Sequence, residues 1–239
     1  MAKNTSLPPY MQSLYNKIYS NSFWSGIMDD CRIANLITLG ADKKLTADVV
    51  KEIARNAHVL QIGLTFGDEI EQVYRKICKQ GKFDIFDISE QQISRATQKF
   101  GHYNINLIKK DATESWQEKY DVIICYNLLS EIPAQSRNKI MTNALNSLSN
   151  GGKALFIDCC KPEKYNLLRF PLKLFNLLYK PFSLDLWNKP IENMTDVKNN
   201  FRWHHTYYYG KMFQKVIAIR KILSSEDVRK LTRMFKNGK

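Results

Sequence analysis

Three features that would assign a protein class directly are scarce or absent in this sequence. Its five cysteines form no Cys-x-x-Cys pair and are odd in number, which favours buried reduced thiols and a reducing compartment. No apolar run is long enough to span a bilayer, and Met1-Ala2-Lys3 leads into polar residues rather than a signal peptide. Repeats and low-complexity linkers are also missing. We therefore expect a cytoplasmic protein.

Acidic residues are few relative to basic ones. The 239 residues include 36 Lys and Arg against 23 Asp and Glu, a formal net charge of +13. Such an excess indicates an anionic partner, either phospholipid or nucleic acid, unless the lysines only decorate solvated faces. The length and the 44% hydrophobic content fit one large α/β domain with additions, without setting an oligomeric state.

The glycine-rich motif Gly-x-Gly-x-x-Gly is also incomplete, because Thr65 occupies its middle position. Around it, residues 59–62 form an apolar strand that breaks at Gly63, and a helix begins after Gly67. The next strand ends at Asp87, close to the roughly 20 residues expected between such a turn and a ribose-binding acid. This βαβ pattern predicts a nucleotide-type site, although an ordinary strand–turn–helix with an N-capping Asp would look similar.

Three more strands follow, at residues 106–112, 120–126 and 151–158, and helical stretches separate them. Strands that alternate with helices predict a mainly parallel, doubly wound sheet. Ligands of such sheets bind at the carboxyl ends of the strands. That rule brings together Gly63, Asp87, Asp111 and Tyr126.

The order and spacing of these pieces resemble a class I S-adenosylmethionine (SAM)-dependent methyltransferase. The matching segments are residues 59–63, 86–89, 111–112, 120–122 and 148–153. The chain departs from the family where Gln61 replaces the usual acid and Leu64-Thr65-Phe66 replaces the usual Cys-Gly-Thr. The resemblance implies a SAM-dependent enzyme with a Rossmann-like α/β fold.

It also implies roles for the residues at the strand ends. Gly63, Thr65 and Gly67 would cradle the methionine moiety, Asp87 would bind the ribose, and Asp111 would bind the adenine unless it is only a turn or cap acid. The full predicted cofactor set is Gln61, Gly63, Thr65, Gly67, Asp68, Asp87, Ile88, Asp111, Ala112, Tyr126 and Asn127.

A closer resemblance is to the rhodoquinone-biosynthesis (RquA-type) enzyme family. It rests on residues 59–68, 128–133, 151–158, 181–187 and 208–216. That family keeps the methyltransferase fold but replaces a quinone methoxy group with an amine taken from SAM. The chain departs from it at Ser130, where the family tends to have His, and at Cys160 in the run Asp158-Cys159-Cys160-Lys161-Pro162.

Two acids lie where the acceptor would meet the cofactor. Glu131 precedes a helix and Asp158 ends the fifth predicted strand, so both are predicted catalytic residues. The structural alternatives are a helix N-terminal acid for Glu131 and a capping acid for Asp158.

Additions surround the α/β domain, which we place at residues 57–220. Residues 1–56 are predicted to form a helical lid, residues 161–200 an inserted cap, and residues 221–239 a basic helix. Interleaved basic and bulky apolar residues at 165–182 are typical of a membrane-interface segment, and equally of a soluble pocket lid. Predicted pocket walls are Tyr19, Trp24, Tyr208 and Tyr209.

No metal site is predicted, although a divalent metal is not excluded for this chemistry. The neighbouring His204 and His205 point to opposite faces of a strand. The function predicted from the sequence is SAM-dependent modification of a quinone-like apolar molecule, at or near a membrane surface and with amine transfer to ubiquinone as one form. The alternatives are methyl transfer to a small aromatic or apolar acceptor, a non-catalytic SAM-binding subunit, and an RNA-binding or RNA-modifying protein. Without a separate RNA-binding module, we do not expect a nucleic-acid partner.

Overall fold

The computed structural model describes residues 41–65, 67–77, 80–170, 172–174 and 182–221. Most of the predicted N-terminal lid, including Tyr19 and Trp24, and nearly all of the predicted C-terminal helix lie outside the described residues. Phe66 and residues 175–181 of the predicted cap also lie outside them.

A seven-stranded sheet in the order β3-β2-β1-β4-β5-β7-β6 organises the described chain. The strands are β1 His58–Ile62, β2 Lys82–Asp87, β3 Asn106–Lys109, β4 Tyr120–Tyr126, β5 Leu148–Cys159, β6 Phe201–Tyr208 and β7 Phe213–Arg220. The first five strands run parallel, whereas β7 is antiparallel to both β5 and β6. The predicted mainly parallel, Rossmann-like α/β fold is confirmed.

Helices cover both faces of the sheet. They are α1 Ala41–Lys51, α2 Glu69–Ile77, α3 Glu90–Phe100, α4 Ala134–Asn146 and α5 Ser183–Asn188, with short 3₁₀ turns at Leu129–Glu131, Ile191–Met194 and Lys198–Asn200. Apolar residues of α1, α2 and α3 form one core cluster, and those of α4 and α5 belong to the other. Because β1 and β4 lie at the centre, between these layers, nearly all their residues are buried.

Local sequence explains several element boundaries. On α2, Ile70, Val73 and Ile77 recur at helical spacing, and all three are buried. The helix α3 begins after Ser89, whose hydroxyl accepts a hydrogen bond from the Gln92 N–H at 3.2 Å. This N-cap satisfies one backbone donor of the first turn.

Two strand boundaries differ from the predictions. Strand β3 ends at Lys109, because its pairing with β2 stops at Asp87 and Asp111 instead opens a turn. Strand β5 begins at Leu148, which pairs with Tyr120 of β4 across an irregular register.

Helix α1 is tied to the three strands β5, β6 and β7 on one side of the sheet. Glu52, just after α1, forms ion pairs with Lys153 of β5 at 2.8 Å and with Lys215 of β7 at 3.1 Å. Asp48 of α1 accepts a hydrogen bond from the Tyr208 hydroxyl of β6 at 3.0 Å. These contacts hold α1 as part of the α/β body.

A helix with the length and apolar character needed to cross a membrane does not occur in the described part of the chain. The predicted buried thiols are found at Cys125, Cys159 and Cys160, which are free and buried.

Candidate functional site

The turn after β1 requires glycine at its first position. Gly63 has φ of +86°, and a Cβ there would lie 3.2 Å from Leu128 Cδ1. Both the left-handed backbone and the close approach disfavour any larger residue. The Gly63 N–H donates to the Phe86 carbonyl at 2.8 Å, which holds the turn against the end of β2.

Asp87 fastens this turn with its side chain. Its Oδ2 accepts a hydrogen bond from the Leu64 N–H at 2.9 Å, and its Oδ1 accepts one from the Ser89 N–H at 2.8 Å. Burial raises the pKa of the Asp87 carboxyl to about 6, and the two backbone donors partly oppose that rise. Each oxygen keeps a further lone pair, so the carboxylate can still accept ribose hydroxyls.

An open cleft lies beside these residues at the carboxyl ends of the strands. Its lining comprises Ile62, Gly63, Phe86, Asp87, Ile88, Lys110, Asp111, Ala112, Leu128, Ile132 and Ile140. The structure thus brings together five residues of the predicted cofactor set. Within the lining, Asp111 accepts a hydrogen bond from the Thr113 N–H at 2.8 Å, so it also makes the predicted turn.

A buried carboxylate lies beneath the glycine turn. Glu69, the first residue of α2, is 1% exposed. Its Oε2 accepts hydrogen bonds from Gln61 Nε2 at 3.0 Å and from the Thr65 hydroxyl at 2.6 Å. Burial raises the pKa of the Glu69 carboxyl to about 7, against the effect of these two donors. Position 61 of β1 is Gln, where the methyltransferases that the sequence resembles usually have an acid. Glu69 of α2, eight positions along the chain, supplies a carboxylate beside it.

A second acid approaches from α1. Asp42 accepts a hydrogen bond from the Tyr126 hydroxyl at 2.9 Å, and a Cβ at Gly67 would lie 3.5 Å from its Oδ2. Burial raises the pKa of Asp42, and the negative charge of Asp68 adds to that rise. This end of the site is thus acidic.

Other predicted cofactor residues lie around the same edge. Gly67 has φ of +91°, and Asn127 has φ of +55°. The Asn127 N–H donates to the Ile157 carbonyl at 2.7 Å, which links the ends of β4 and β5. Asp68 is half-buried directly before α2.

The two predicted catalytic acids have different surroundings. Asp158 is fully buried, and its oxygens accept hydrogen bonds from the Ser130 N–H at 3.0 Å and the Cys159 N–H at 2.7 Å. It therefore fixes the segment after β4 to the end of β5. Glu131 is half-buried in the 3₁₀ turn of that segment, next to the cleft residue Ile132.

A buried arginine organises the same segment. Arg137 of α4 is 1% exposed. It donates to the carbonyls of Leu129 at 2.9 Å and Ile132 at 2.8 Å, and to the Asp185 carboxylate of α5 at 3.2 Å. This side chain connects one wall of the cleft to the inserted segment.

The tyrosines predicted as pocket walls lie at the β6–β7 turn. Tyr208 is buried against α1 through its bond to Asp48, a packing role. Tyr209 has φ of +51° and is 40% exposed. As substrate contacts, both stay predictions.

Histidines and acids do not assemble a metal site in the described ranges, where no group of three His, Cys, Asp or Glu has suitable geometry. His205 instead lies 3.2 Å from the Glu192 carboxylate.

Sequence analysis missed three residues of this site. Glu69 has the pattern of an ordinary helix-start acid, and Arg137 lies in a polar run that resembles a solvated helix face. Asp42 precedes every recognised motif. A charged residue at helical spacing with apolar neighbours was the available signal for Arg137, which shares a face with Ile140, Met141 and Ala144.

Comparison with protein families identifies the central part of the chain. Residues 59–152 match the family model described as a methyltransferase domain. Over these residues the chain is similar to a methyltransferase domain. A sequence comparison with curated proteins finds no match.

Solved structures of methyltransferases share the fold. Human N-acetylserotonin methyltransferase in complex with SAM matches with a TM-score of 0.63 at 14% identity, over 91% of this chain and 61% of that one. The mitomycin 7-O-methyltransferase MmcR gives 0.60 at 12% identity, over 90% and 69%. The pyocyanin biosynthetic protein PhzM gives 0.60 at 9% identity, over 87% and 64%. The chain thus spans less than two thirds of two of these proteins.

The apolar walls of the cleft, with Asp87 and Asp111, suit an adenosine group. Asp42 and Glu69 lie outside this lining, at the glycine turn, and their charge suits the cationic methionine group. The match to the methyltransferase-domain model and the fold shared with a methyltransferase solved with SAM support the predictions of a SAM-dependent transferase and of SAM as cofactor.

Proposed function

We propose that this protein transfers a methyl group from SAM to a hydroxyl of an apolar, quinone-like small molecule. The observation that carries the acceptor class is an exposed apolar segment at the cofactor edge of the sheet. We call residues 163–174, apart from the undescribed residue 171, the apolar flap. Its exposed apolar side chains are Tyr165, Leu167, Leu168, Phe170 and Leu174.

The topology supports a position of the apolar flap near the cofactor cleft. Cys159, at the carboxyl end of β5, pairs with Phe213 of β7, so the β6–β7 turn lies at the same sheet edge as the cleft. The flap is attached to this turn, because the Glu163 N–H donates to the Gly210 carbonyl at 3.0 Å and the Asn166 amide donates to the Tyr209 carbonyl at 3.3 Å. An apolar acceptor could therefore pass from the flap to the cleft.

Bound SAM supplies an electrophilic methyl group on a sulfonium sulfur. The protein residues then have to orient the cofactor and accept the proton that the acceptor hydroxyl loses. We assign the proton acceptor to Glu131, since both oxygens of Asp158 already bind backbone amides inside the protein. Asp158 would position Glu131 through the segment that it fixes.

Amine transfer from SAM is the second candidate. Its support is the resemblance to the rhodoquinone-biosynthesis family, together with the loss of the strand acid at Gln61. The position of Glu69 weakens that argument, because a carboxylate still lies against Gln61. We therefore rank methyl transfer first.

The test uses pure protein, a hydroxyl-bearing quinol or ubiquinone, and SAM labelled separately on its methyl carbon and its amine nitrogen. Labelled methyl in the product with release of S-adenosylhomocysteine supports the proposal, whereas nitrogen label in the quinone replaces it with amine transfer. Glu131→Gln should lower the rate at least 100-fold. The matched control, Glu163→Gln, removes an exposed acid of the flap and should leave the rate unchanged.

We also propose that the apolar flap lies on an anionic membrane surface. Lys164, Arg169 and Lys173 alternate with its apolar side chains, and the chain has a net charge of +13. Vesicles with anionic lipid should sediment the protein at low salt, less so at high salt, while neutral vesicles should not. Replacing Leu167 and Phe170 by Ser should abolish sedimentation. A protein that stays in the supernatant with anionic vesicles at low salt would make the flap a soluble pocket lid.

A further inference from the structure

The acidic end of the site contains acceptor atoms without donors. Within the described part of the chain, Glu69 Oε1 and Gln61 Oε1 have no hydrogen-bond donor, and their residues are 1% and 0% exposed. Buried polar atoms are nearly always paired, and leaving one unpaired costs about 1–3 kcal/mol. Two such acceptors on side chains that bind each other indicate that a donor from outside the chain completes the site.

The charges around these atoms define that donor. Asp42 and Asp68 both act on Glu69 with negative charge. Among the described residues, no Lys or Arg forms an ion pair with Glu69, and the Lys99 ammonium instead donates to the Gly67 carbonyl at 3.3 Å. This acidic group stands in a strongly basic protein. Its complement is a cationic donor.

We propose that Glu69, positioned by Gln61 and Thr65, binds the α-ammonium group of the methionine moiety of SAM. The inference rests on the proposed function, since it assumes SAM in the cleft. The proposal assigns ammonium binding to Glu69 of α2, because the strand motif provides only the amide of Gln61 at the position of its usual acid. Gln61 Nε2 holds Glu69 Oε2 and also lies 3.3 Å from the Gly63 carbonyl, so the amide connects the helix acid to the glycine turn.

Protonation gives the proposal a second consequence. With a pKa near 7 in the absence of ligand, Glu69 carries a proton in part of the population at pH 6.5, and binding an ammonium favours the carboxylate. Cofactor binding should therefore release protons at pH 6.5 and almost none at pH 8.5. The other titratable groups of the site are Asp42, Asp68, Asp87 and Tyr126, so a variant is needed to assign the release to Glu69.

The experiment measures binding of three ligands by calorimetry. SAM has both the ammonium and the sulfonium, S-adenosylhomocysteine has only the ammonium, and 5′-methylthioadenosine has neither. Glu69→Gln should weaken SAM and S-adenosylhomocysteine at least 10-fold and leave 5′-methylthioadenosine unchanged. SAM binding by Glu69→Gln should also be measured at pH 6.5 in buffers of different ionisation enthalpy. These measurements should show that the variant has lost the proton release. The control variant, Glu71→Gln, removes an acid of the same helix that pairs with Arg75 instead, and it should retain that release.

Equal weakening of all three ligands would overturn the proposal, because Glu69 would then only support the fold. Unchanged SAM affinity or unchanged proton release in Glu69→Gln would also overturn it. These outcomes differ from failure of the proposed function, in which the unaltered protein itself would not bind SAM.

Discussion

Arg137 offers the most direct test of how the cleft wall is built. Replacing it by Met keeps a long side chain but removes every donor. The carbonyls of Leu129 and Ile132 then lose their bonds of 2.9 and 2.8 Å, and Asp185 loses its cation. An unpaired buried acceptor costs about 1–3 kcal/mol, and breaking a buried ion pair costs about 3–5 kcal/mol.

The ion-pair figure does not apply in full here, because the Asp185 side chain is 47% exposed and water can replace its partner. We therefore expect Arg137→Met to lower the free energy of unfolding by about 3–4 kcal/mol, most of it from the two carbonyls. Urea unfolding followed by circular dichroism measures this change. The control is Lys139→Met, two positions along the same helix on an exposed side chain, which should change stability by less than about 0.5 kcal/mol.

Arg137→Lys separates charge from geometry. A lysine keeps the positive charge but lacks the planar fork that reaches two carbonyls and a carboxylate at once. It should recover less than half of the loss. Stabilities of the Met and Lys variants within 1 kcal/mol of the unaltered protein would refute the idea that Arg137 holds this wall.

Three other changes test the site itself. Asp87→Asn should weaken SAM binding by about 1.5–3 kcal/mol in calorimetry, because it removes a charged acceptor of the Leu64 N–H and of the ribose; unchanged affinity would remove Asp87 from the site. Gly63→Ala should lower the free energy of unfolding by about 1–2 kcal/mol, since φ of +86° and the 3.2 Å approach to Leu128 both disfavour a side chain, and thermal unfolding would show it. The free energy of unfolding without cofactor should fall by about 2–3 kcal/mol between pH 5 and 8 through Glu69, whose pKa of about 7 in the fold exceeds its usual value of 4.5. The folded protein holds that proton more tightly, so this part of the slope should disappear in Glu69→Gln and persist in Glu71→Gln.

The sheet was predictable because its signals are local. Apolar runs such as residues 120–126 end at turn residues, and Gly63 and Asp87 stand at their characteristic spacing. Because these strands alternate with helices, chain order alone places their carboxyl ends at one edge of the sheet. The end of β3 was less predictable, because pairing with β2, and not the composition of residues 106–112, decides where it stops.

The chemistry of the site was only partly predictable. Gly63, Asp87, Ile88, Asp111 and Ala112 line one cleft as expected. Glu69 and Arg137 have roles that depend on side-chain direction and burial, which periodicity specifies poorly for charged residues. Asp158 lies near the carboxyl end of its strand, where ligand-binding residues are expected. Its carboxylate instead accepts hydrogen bonds from two backbone amides inside the protein.

The anchoring of α1 has a consequence for the order in which the protein is made. Asp48 is joined to Tyr208 and Lys215, which follow it by 160 and 167 positions. During synthesis, α1 leaves the ribosome long before these partners exist, and contacts of such long sequence separation form late. Asp42 lies on the same helix and belongs to the acidic end of the candidate cofactor site. A nascent chain should therefore gain tight cofactor binding only after β7 has emerged, and stalled chains that end before residue 200 should bind SAM weakly.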